Sequence, residues 1–392
     1  MTVVKSPARG KITIADVAKQ AERANQIVGE LRSRLFAPEL RKKSPVYSLS
    51  QVASLCGTDK GQMSYRLAKG DLPSGTLNAT GSRREFTVGE SRQWIRAYRA
   101  SSLRPANSRA VTIAIGNFKG GVSKTTTAMA LAQGLSLRGH RVLAIDTDPQ
   151  GSLTTLFGVL PDTMVEEDKT ILPLVHGEET SIRSAIQETY WDGIDLVAAA
   201  PALFSAEFVL PSRQMRDPAF QFWDVLNLGL EDVRDEYDVI IIDTPPALSY
   251  TTINAFMAAE GLIIPLPPSA LDFASSSQFW TLFSDLTTSL VESASLNKTF
   301  DFINVLLARV DTSDTAAGLV REWIQATYAE KVLPVEIPKT NVTSVSAVEF
   351  ATVYDLAKYD GSLKTYKRAR DAYDRLTDLI EQAVQSSWAA QQ

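Results

Sequence analysis

Residues 111–127 read VTIAIGNFKGGVSKTTT, and the parsing of this stretch decides the fold. VTIAIG is short, apolar and rich in β-branched residues, as a buried strand should be. Residues 124–138 carry the small and apolar residues of a helix, and a loop with two adjacent glycines and two lysines lies between. A strand, a glycine loop and a helix N-terminus in succession form the local context that receives a phosphate. The generic phosphate-loop pattern G-x-x-x-x-G-K-[ST] nevertheless fails. With Lys124 as the loop lysine, its two glycine positions hold Phe118 and Ser123. The physical parts are still present. Gly120 and Gly121 let the backbone approach an anion, and the amides of residues 121–126 (Gly121, Val122, Ser123, Lys124, Thr125 and Thr126) point into it. Lys124 is expected to reach the β- and γ-phosphates and Thr125 to bind Mg²⁺.

Working outward, RVLAID (141–146), IDLVAA (194–199), DVIIID (238–243), GLIIPL (261–266) and FINVLLA (302–308) repeat the buried-strand pattern. Helical segments such as 252–259 alternate with them, and 364–388 follows the last. Continuous apolar strands separated by helices predict a mostly parallel sheet flanked by helices, with ligands at the carboxyl ends of the strands. The fold class expected is α/β.

The loop K-G-G-V-S-K-T (119–125) resembles the deviant Walker A motif, K-G-G-x-x-K-[ST], of the ParA/MinD family of P-loop ATPases. The resemblance covers roughly residues 110–375. It implies that Lys119 reaches across a dimer interface to the nucleotide held by the partner subunit. VLAIDTDPQGSLT (142–154) resembles the family's switch I, which implies that Asp148 positions the attacking water; Asp146, at the strand end, is a candidate support of the Mg²⁺ shell. VIIIDTPPAL (239–248) resembles Walker B, with Asp243 holding Mg²⁺ through water. PLPPSALDFAS (265–275) and IPKT (337–340), which includes Pro338, match later family segments near the adenine and the dimer face. The implied cofactors are ATP/ADP and Mg²⁺. Ser123 departs from many members, where glycine is commoner.

Charge divides the chain. Residues 1–109 hold 20 Lys+Arg against 8 Asp+Glu, and the remainder 20 against 37, so a net −5 conceals a basic head of +12 and an acidic body of −17. A basic head points to nucleic acid. Within it, Ile14, Val17, Ala21, Ala24, Val28, Leu31 and Leu35 recur at alternating spacings of three and four, an a/d helical seam whose partner is either this chain or a second subunit. A linker around Pro38 and Arg41–Pro45 follows. SLSQVASLCGTDKGQMSYRLAKG (48–70) reads as two helices around a turn at Gly57, the second presenting Lys60, Gln62, Ser64, Tyr65 and Arg66 to a DNA groove. Residues 71–87, with Arg83 and Arg84, suit a hairpin wing that grips phosphate. The expected domains are thus an N-terminal helix and linker (1–44), a winged helix-turn-helix (45–106) and a P-loop ATPase domain (107–392).

One cysteine excludes an intramolecular disulfide framework and a Cys-rich metal site within the chain, and two histidines, His140 and His176, argue against a His-based metal site or a Ser/His/Asp triad. No run of about 18 apolar residues is present, and the N-terminus lacks a signal-like apolar core, so a cytoplasmic protein is expected; the ParA resemblance implies a bacterial, nucleoid-associated one. Large ParA proteins carry a dimerising N-terminal helix and a winged helix-turn-helix that represses the partition operon. The resemblance therefore implies a homodimer, a ParB-type centromere-binding partner, operator DNA bound specifically and nucleoid DNA bound without sequence preference. For the last, KTYKRAR (364–370) offers Lys364, Lys367, Arg368 and Arg370. A MinD-like membrane cycle is disfavoured, because no basic residue follows Arg375 in the C-terminal helix. A nucleotide-sensing repressor without a motor role is the remaining alternative.

Overall fold

A computed structural model of the chain describes residues 11–35, 42–294, 298–311, 313–314, 316–339, 351–356 and 362–392. Two units separate, residues 1–43 and 44–392.

The first unit contains helix α1 (Ile14–Leu35). Thr13 and Asp16 start it by a reciprocal cap: the Thr13 amide donates to the Asp16 carboxylate at 2.9 Å, and the Asp16 amide to the Thr13 hydroxyl at 3.2 Å. Ile14 and Val17, two members of the expected seam, are exposed within this unit. The side chains of Val28, Leu31 and Leu35, and the expected linker residues Pro38 and Arg41, lie outside the described residues.

The second unit opens with β1 (Tyr47–Ser48), α2 (Leu49–Leu55), α3 (Lys60–Lys69), β2 (Thr76–Leu77), β3 (Arg84–Phe86) and α4 (Val88–Tyr98). The two helices meet at Gly57, whose φ of 67° is a left-handed value that glycine adopts freely. Ser48 and Asp59 cap α2 and α3. Val52, Ala53 and Met63 close the space between them, all buried. The three strands pair antiparallel in the order β1-β3-β2. Trp94 of α4, fully buried, packs edge-on against Phe86 and donates its indole N–H to the Pro73 carbonyl at 2.9 Å.

There follow β4 (Val111–Ile115), α5 (Lys124–Ser136), β5 (Val142–Asp146), α6 (Ser152–Leu156), α7 (Leu172–His176), β6 (Gln187–Glu188), β7 (Ile194–Val197), α8 (Ala206–Arg216), α9 (Val225–Gly229), β8 (Val239–Asp243), α10 (Tyr250–Ala258), β9 (Gly261–Leu266), α11 (Ala270–Ala294), β10 (Phe302–Val310), α12 (Ala316–Tyr328), β11 (Val332–Pro338) and α13 (Leu363–Ala390). The eight strands order as β11-β10-β9-β4-β8-β5-β7-β6, parallel throughout except for the β6–β7 edge pair. Strands β4, β5, β8 and β9 are buried at every residue, which is why they read as unbroken apolar runs. Strand β11 was not among the strands expected from sequence: Pro334 and Pro338 interrupt it, and its burial alternates, both marks of a sheet edge.

Register places the chemistry. Asp243 lies level with Ile115 on one side and with Asp146 on the other, so the last residue of β4, Asp146 and Asp243 share one edge of the sheet. The loop that follows β4 opens over this edge.

Candidate functional site: a phosphate loop above two buried carboxylates

The loop leaves β4 through Gly116, where a Cβ would run into the Phe256 ring, and turns at Gly121, φ 75°. Ser123 then takes φ 77° and ψ 25° and starts α5. A non-glycine residue in this region carries about 1–2 kcal/mol of strain. The substitution at this position therefore keeps the glycine-type geometry. Lys124 is buried to 7% exposure, and its ammonium donates to the Lys119 carbonyl at 3.1 Å, closing the loop into a ring. Burial lowers the Lys124 pKa, opposed by the charges of Asp243 and Asp148. Asn117 braces the turn: its side-chain amide donates to the Pro265 carbonyl at 2.8 Å, and its oxygen accepts from the Lys119 amide at 3.1 Å. The Lys119 ammonium itself pairs with Asp272 at 2.7 Å. Gly120 and Gly121 are exposed, Val122 is buried, and Thr125 and Thr126 are half-buried at the helix start.

Beneath the loop, Asp243 is fully buried, and neither carboxylate oxygen has a hydrogen-bond partner among the described residues. Burial and the neighbouring Asp146 raise its pKa well above the usual carboxylate range; the Thr125 hydroxyl, close by but outside hydrogen-bond geometry, and the Lys124 charge pull the other way. Asp146 is also fully buried and accepts from the Thr154 amide and hydroxyl, each at 2.8 Å, and from the Asp148 amide at 3.1 Å. Burial pushes it up to about 7. Two buried carboxylates side by side, one with both oxygens unpartnered, are a donor set that suits a divalent cation. Asp148 is half-exposed at the rim and receives the Gln150 amide at 2.9 Å. Thr147 and Thr244 tie the strand ends together through the Asp243 and Ile115 carbonyls.

One residue that sequence reading missed belongs here. Arg309, next to last in β10, adopts φ 53° and donates its guanidinium to the Gly121 carbonyl. With Lys119, Gly120, Gly121, Val122 and Lys339 it lines a cavity of about 300 Å³ beside the loop. No motif signals it, because only the tertiary approach of β10 to the loop reveals the contact. Pro338 ends β11 on the same side of the sheet, and Thr340 of the expected IPKT segment lies outside the described residues.

The expected DNA contacts divide. Lys60, Gln62, Ser64 and Tyr65 are exposed on α3, and Tyr65 is 80% exposed. Arg66 is held by Asp71 at 3.3 Å and lies over the Tyr98 ring, so its guanidinium already has partners. Arg83 is exposed, whereas Arg84 turns back to the Ser74 carbonyl. On α13, Lys364, Lys367 and Arg368 are exposed and form no ion pair among the described residues. With Arg375, Pro334 and Glu336 they line a groove of about 830 Å³ between α13 and β11. Arg370 corrects the sequence expectation. It pairs with Asp374 at 3.2 Å and stacks on the Tyr354 ring at 4.1 Å, facing inward rather than toward DNA.

The body also clamps α4. Arg92 donates to the carbonyls of Ser136 and His140 and pairs with Asp192 at 2.6 Å. Arg99 reaches Glu381 of α13 at 2.8 Å, and Glu381 in turn receives the buried His140 at 2.6 Å.

A family described as an AAA domain matches residues 110–298. A Rhizobium rhizogenes protein described as "Putative replication protein A" is 30% identical, over 91% of this chain and 90% of its own. SopA of Escherichia coli strain K12 is 30% identical over 82% of this chain and 83% of its own, and the chromosome partitioning protein ParA of Caulobacter vibrioides is 31% identical over 68% and 95%. Among solved structures, a partition protein superposes with a TM-score of 0.67 over 95% of this chain and 98% of its own; at 18% identity that likeness is one of fold. Cobyrinic acid a,c-diamide synthase of Mycobacterium smegmatis, solved with ADP and magnesium, gives 0.54 at 27% identity over 71% of this chain and 96% of its own. Similarity that spans SopA and ParA over most of their lengths, on a P-loop fold whose glycine loop opens above two buried carboxylates, places this chain in the ParA/SopA family of partition ATPases.

Proposed function

We propose that the protein is an ATP- and Mg²⁺-dependent DNA partition ATPase that also represses its own operon. The observation that carries the ATPase part is the juxtaposition of a glycine loop, the buried Lys124 and the unpartnered Asp243 at one sheet edge. In this reading the amides of 121–126 and Lys124 bind the triphosphate, and Thr125, Asp243 and Asp146 hold the cation. Bound Mg²⁺ would supply charge neutralisation at the phosphates. Asp148, at the rim, orients the attacking water. Lys119 acts as the second lysine of a deviant Walker A loop and reaches the nucleotide of a partner subunit, where two facing triphosphates need cations between them. Nucleotide binding and dimerisation are then one event. The dimer binds nucleoid DNA through Lys364, Lys367 and Arg368, and a ParB-type partner stimulates hydrolysis and release.

Residues 45–106 serve as a winged helix-turn-helix. The capped α2–α3 pair around Gly57, the antiparallel β2–β3 pair and the exposed Lys60, Gln62, Ser64 and Tyr65 support this. Among the described residues no helix is long and apolar enough to cross a membrane.

Phosphate release from ATP, with and without DNA and a ParB-type centromere-binding protein, tests the reading. Slow Mg²⁺-dependent turnover that is lost in Lys124→Ala, and that falls at unchanged ATP affinity in Asp148→Asn, is expected. Full turnover in Asp148→Asn would remove Asp148 from the assigned role.

A further inference from the structure

Helix α11 grips the phosphate loop at two points on one face. Phe118 packs edge-on against Phe279 with ring centroids 4.3 Å apart, and two turns earlier Asp272 pairs with the Lys119 ammonium at 2.7 Å. Asp272 is pre-set for this: the Ser269 hydroxyl donates to its other carboxylate oxygen, and the Asp272 amide donates back to Ser269 at 3.2 Å. Its side chain is 12% exposed, against 39% for Lys119, so the anion is fixed and the cation is the movable partner.

We propose that Asp272 is a positioning residue that latches Lys119 onto its own subunit and must release it before the lysine can serve a partner's nucleotide. The inference rests on the dimer role proposed for Lys119 and adds the group that restrains it. The latch competes with association: every dimer exchanges two Lys119–Asp272 pairs for contacts across the interface. Asp272 therefore sets the ATP concentration at which subunits associate, and keeps the ATP-free protein from associating through this face.

Full-length protein would be titrated with ATP and Mg²⁺ while self-association is followed by light scattering, for wild type, Asp272→Asn, Asp272→Glu, Lys119→Ala and the double variant Lys119→Ala/Asp272→Asn. Reductive methylation of Lys119 without nucleotide, read by peptide mass spectrometry with Lys60 as internal reference, reports the latch directly. Asp272→Asn is expected to lower the ATP midpoint about two- to fivefold, the range of a partly exposed ion pair, and to speed Lys119 methylation. Asp272→Glu, which keeps the charge, should return both toward wild type, and the double variant should behave as Lys119→Ala. An unchanged or raised midpoint in Asp272→Asn, while Lys119→Ala abolishes association, overturns the latch and leaves the dimer role standing. Wild-type association by Lys119→Ala removes the dimer role and the latch with it.

Discussion

Replacing Glu381 with glutamine tests the clamp that joins α4 to the sheet. The Glu381 side chain is 6% exposed and lies 2.6 Å from His140 and 2.8 Å from Arg99, with Arg138 at 3.7 Å. Burial pushes its pKa up, but the hydrogen bonds and charges of His140 and Arg99 outweigh burial and hold it below the ordinary 4.5. Glutamine preserves the shape and leaves the Arg99 guanidinium without this counter-charge. Because Arg99 is 23% exposed, the loss belongs at the low end of the range for broken buried pairs, about 3 kcal/mol at pH 7.5. The pH dependence has a definite sign. A carboxyl whose native pKa lies below its unfolded value contributes stability above the unfolded value and loses it as pH falls through the native one. The Glu381 contribution to the difference between wild type and Glu381→Gln should thus shrink as pH falls below about 4.5. On the other side of His140, Asp238 with Arg96 and Arg104 is common to both proteins and cancels in the difference. Urea unfolding at pH 7.5, 5.5 and 4.0 measures it. A difference under about 1 kcal/mol at pH 7.5, or one that grows between pH 5.5 and 4.0, would refute the assignment of Glu381 as the anion of this cluster.

The other expectations concern the loop, the cation site and the basic face. Ser123→Gly should stabilise the nucleotide-free protein by about 0.5 kcal/mol, since relief of about 1–2 kcal/mol of left-handed strain exceeds the roughly 1 kcal/mol of added chain freedom; Ser123→Ala, equally strained, should gain nothing in the same denaturation assay. Ligand at a hundredfold over its Kd adds about 2.7 kcal/mol of apparent stability. In Asp243→Asn the thermal shift caused by ATP should become the same with Mg²⁺ as with EDTA, and a retained Mg²⁺ increment would exclude Asp243 from the cation site. Alanine at Lys364, Lys367 and Arg368 together should reduce the log–log salt slope of non-specific DNA binding by about 2.7 without altering nucleotide affinity. Arg370→Ala should instead lower the melting temperature, because that side chain is tied to Asp374 and Tyr354.

The sequence made the centre of the molecule legible because burial leaves a simple trace. Strands β4, β5, β8 and β9 are enclosed on both faces and read as apolar runs, and the residues at their carboxyl ends, Asp146 and Asp243, follow from those runs. Strand β11 carries no such trace, since an edge strand tolerates Pro334 and alternates in burial. Arg309 and Asp272 were illegible for another reason. Each meets the phosphate loop only through tertiary folding, from 188 residues downstream for Arg309 and from the start of α11 for Asp272. Arg370 was misread because charge alone does not reveal direction: at i,i+4 from Asp374 it turns inward along α13, whereas Lys367 and Arg368 turn out.

In the proposed function Lys119 couples ATP to association and hence to DNA. Binding of the full-length protein to DNA of random sequence at fixed salt, without nucleotide and with ADP, ATP or ATPγS, tests it most directly when wild type is compared with Lys119→Ala. Binding that needs ATP or ATPγS and is lost in the variant is expected. Binding of equal strength with every nucleotide and in both proteins would contradict it, and would leave residues 45–106 as the whole of the DNA-binding surface.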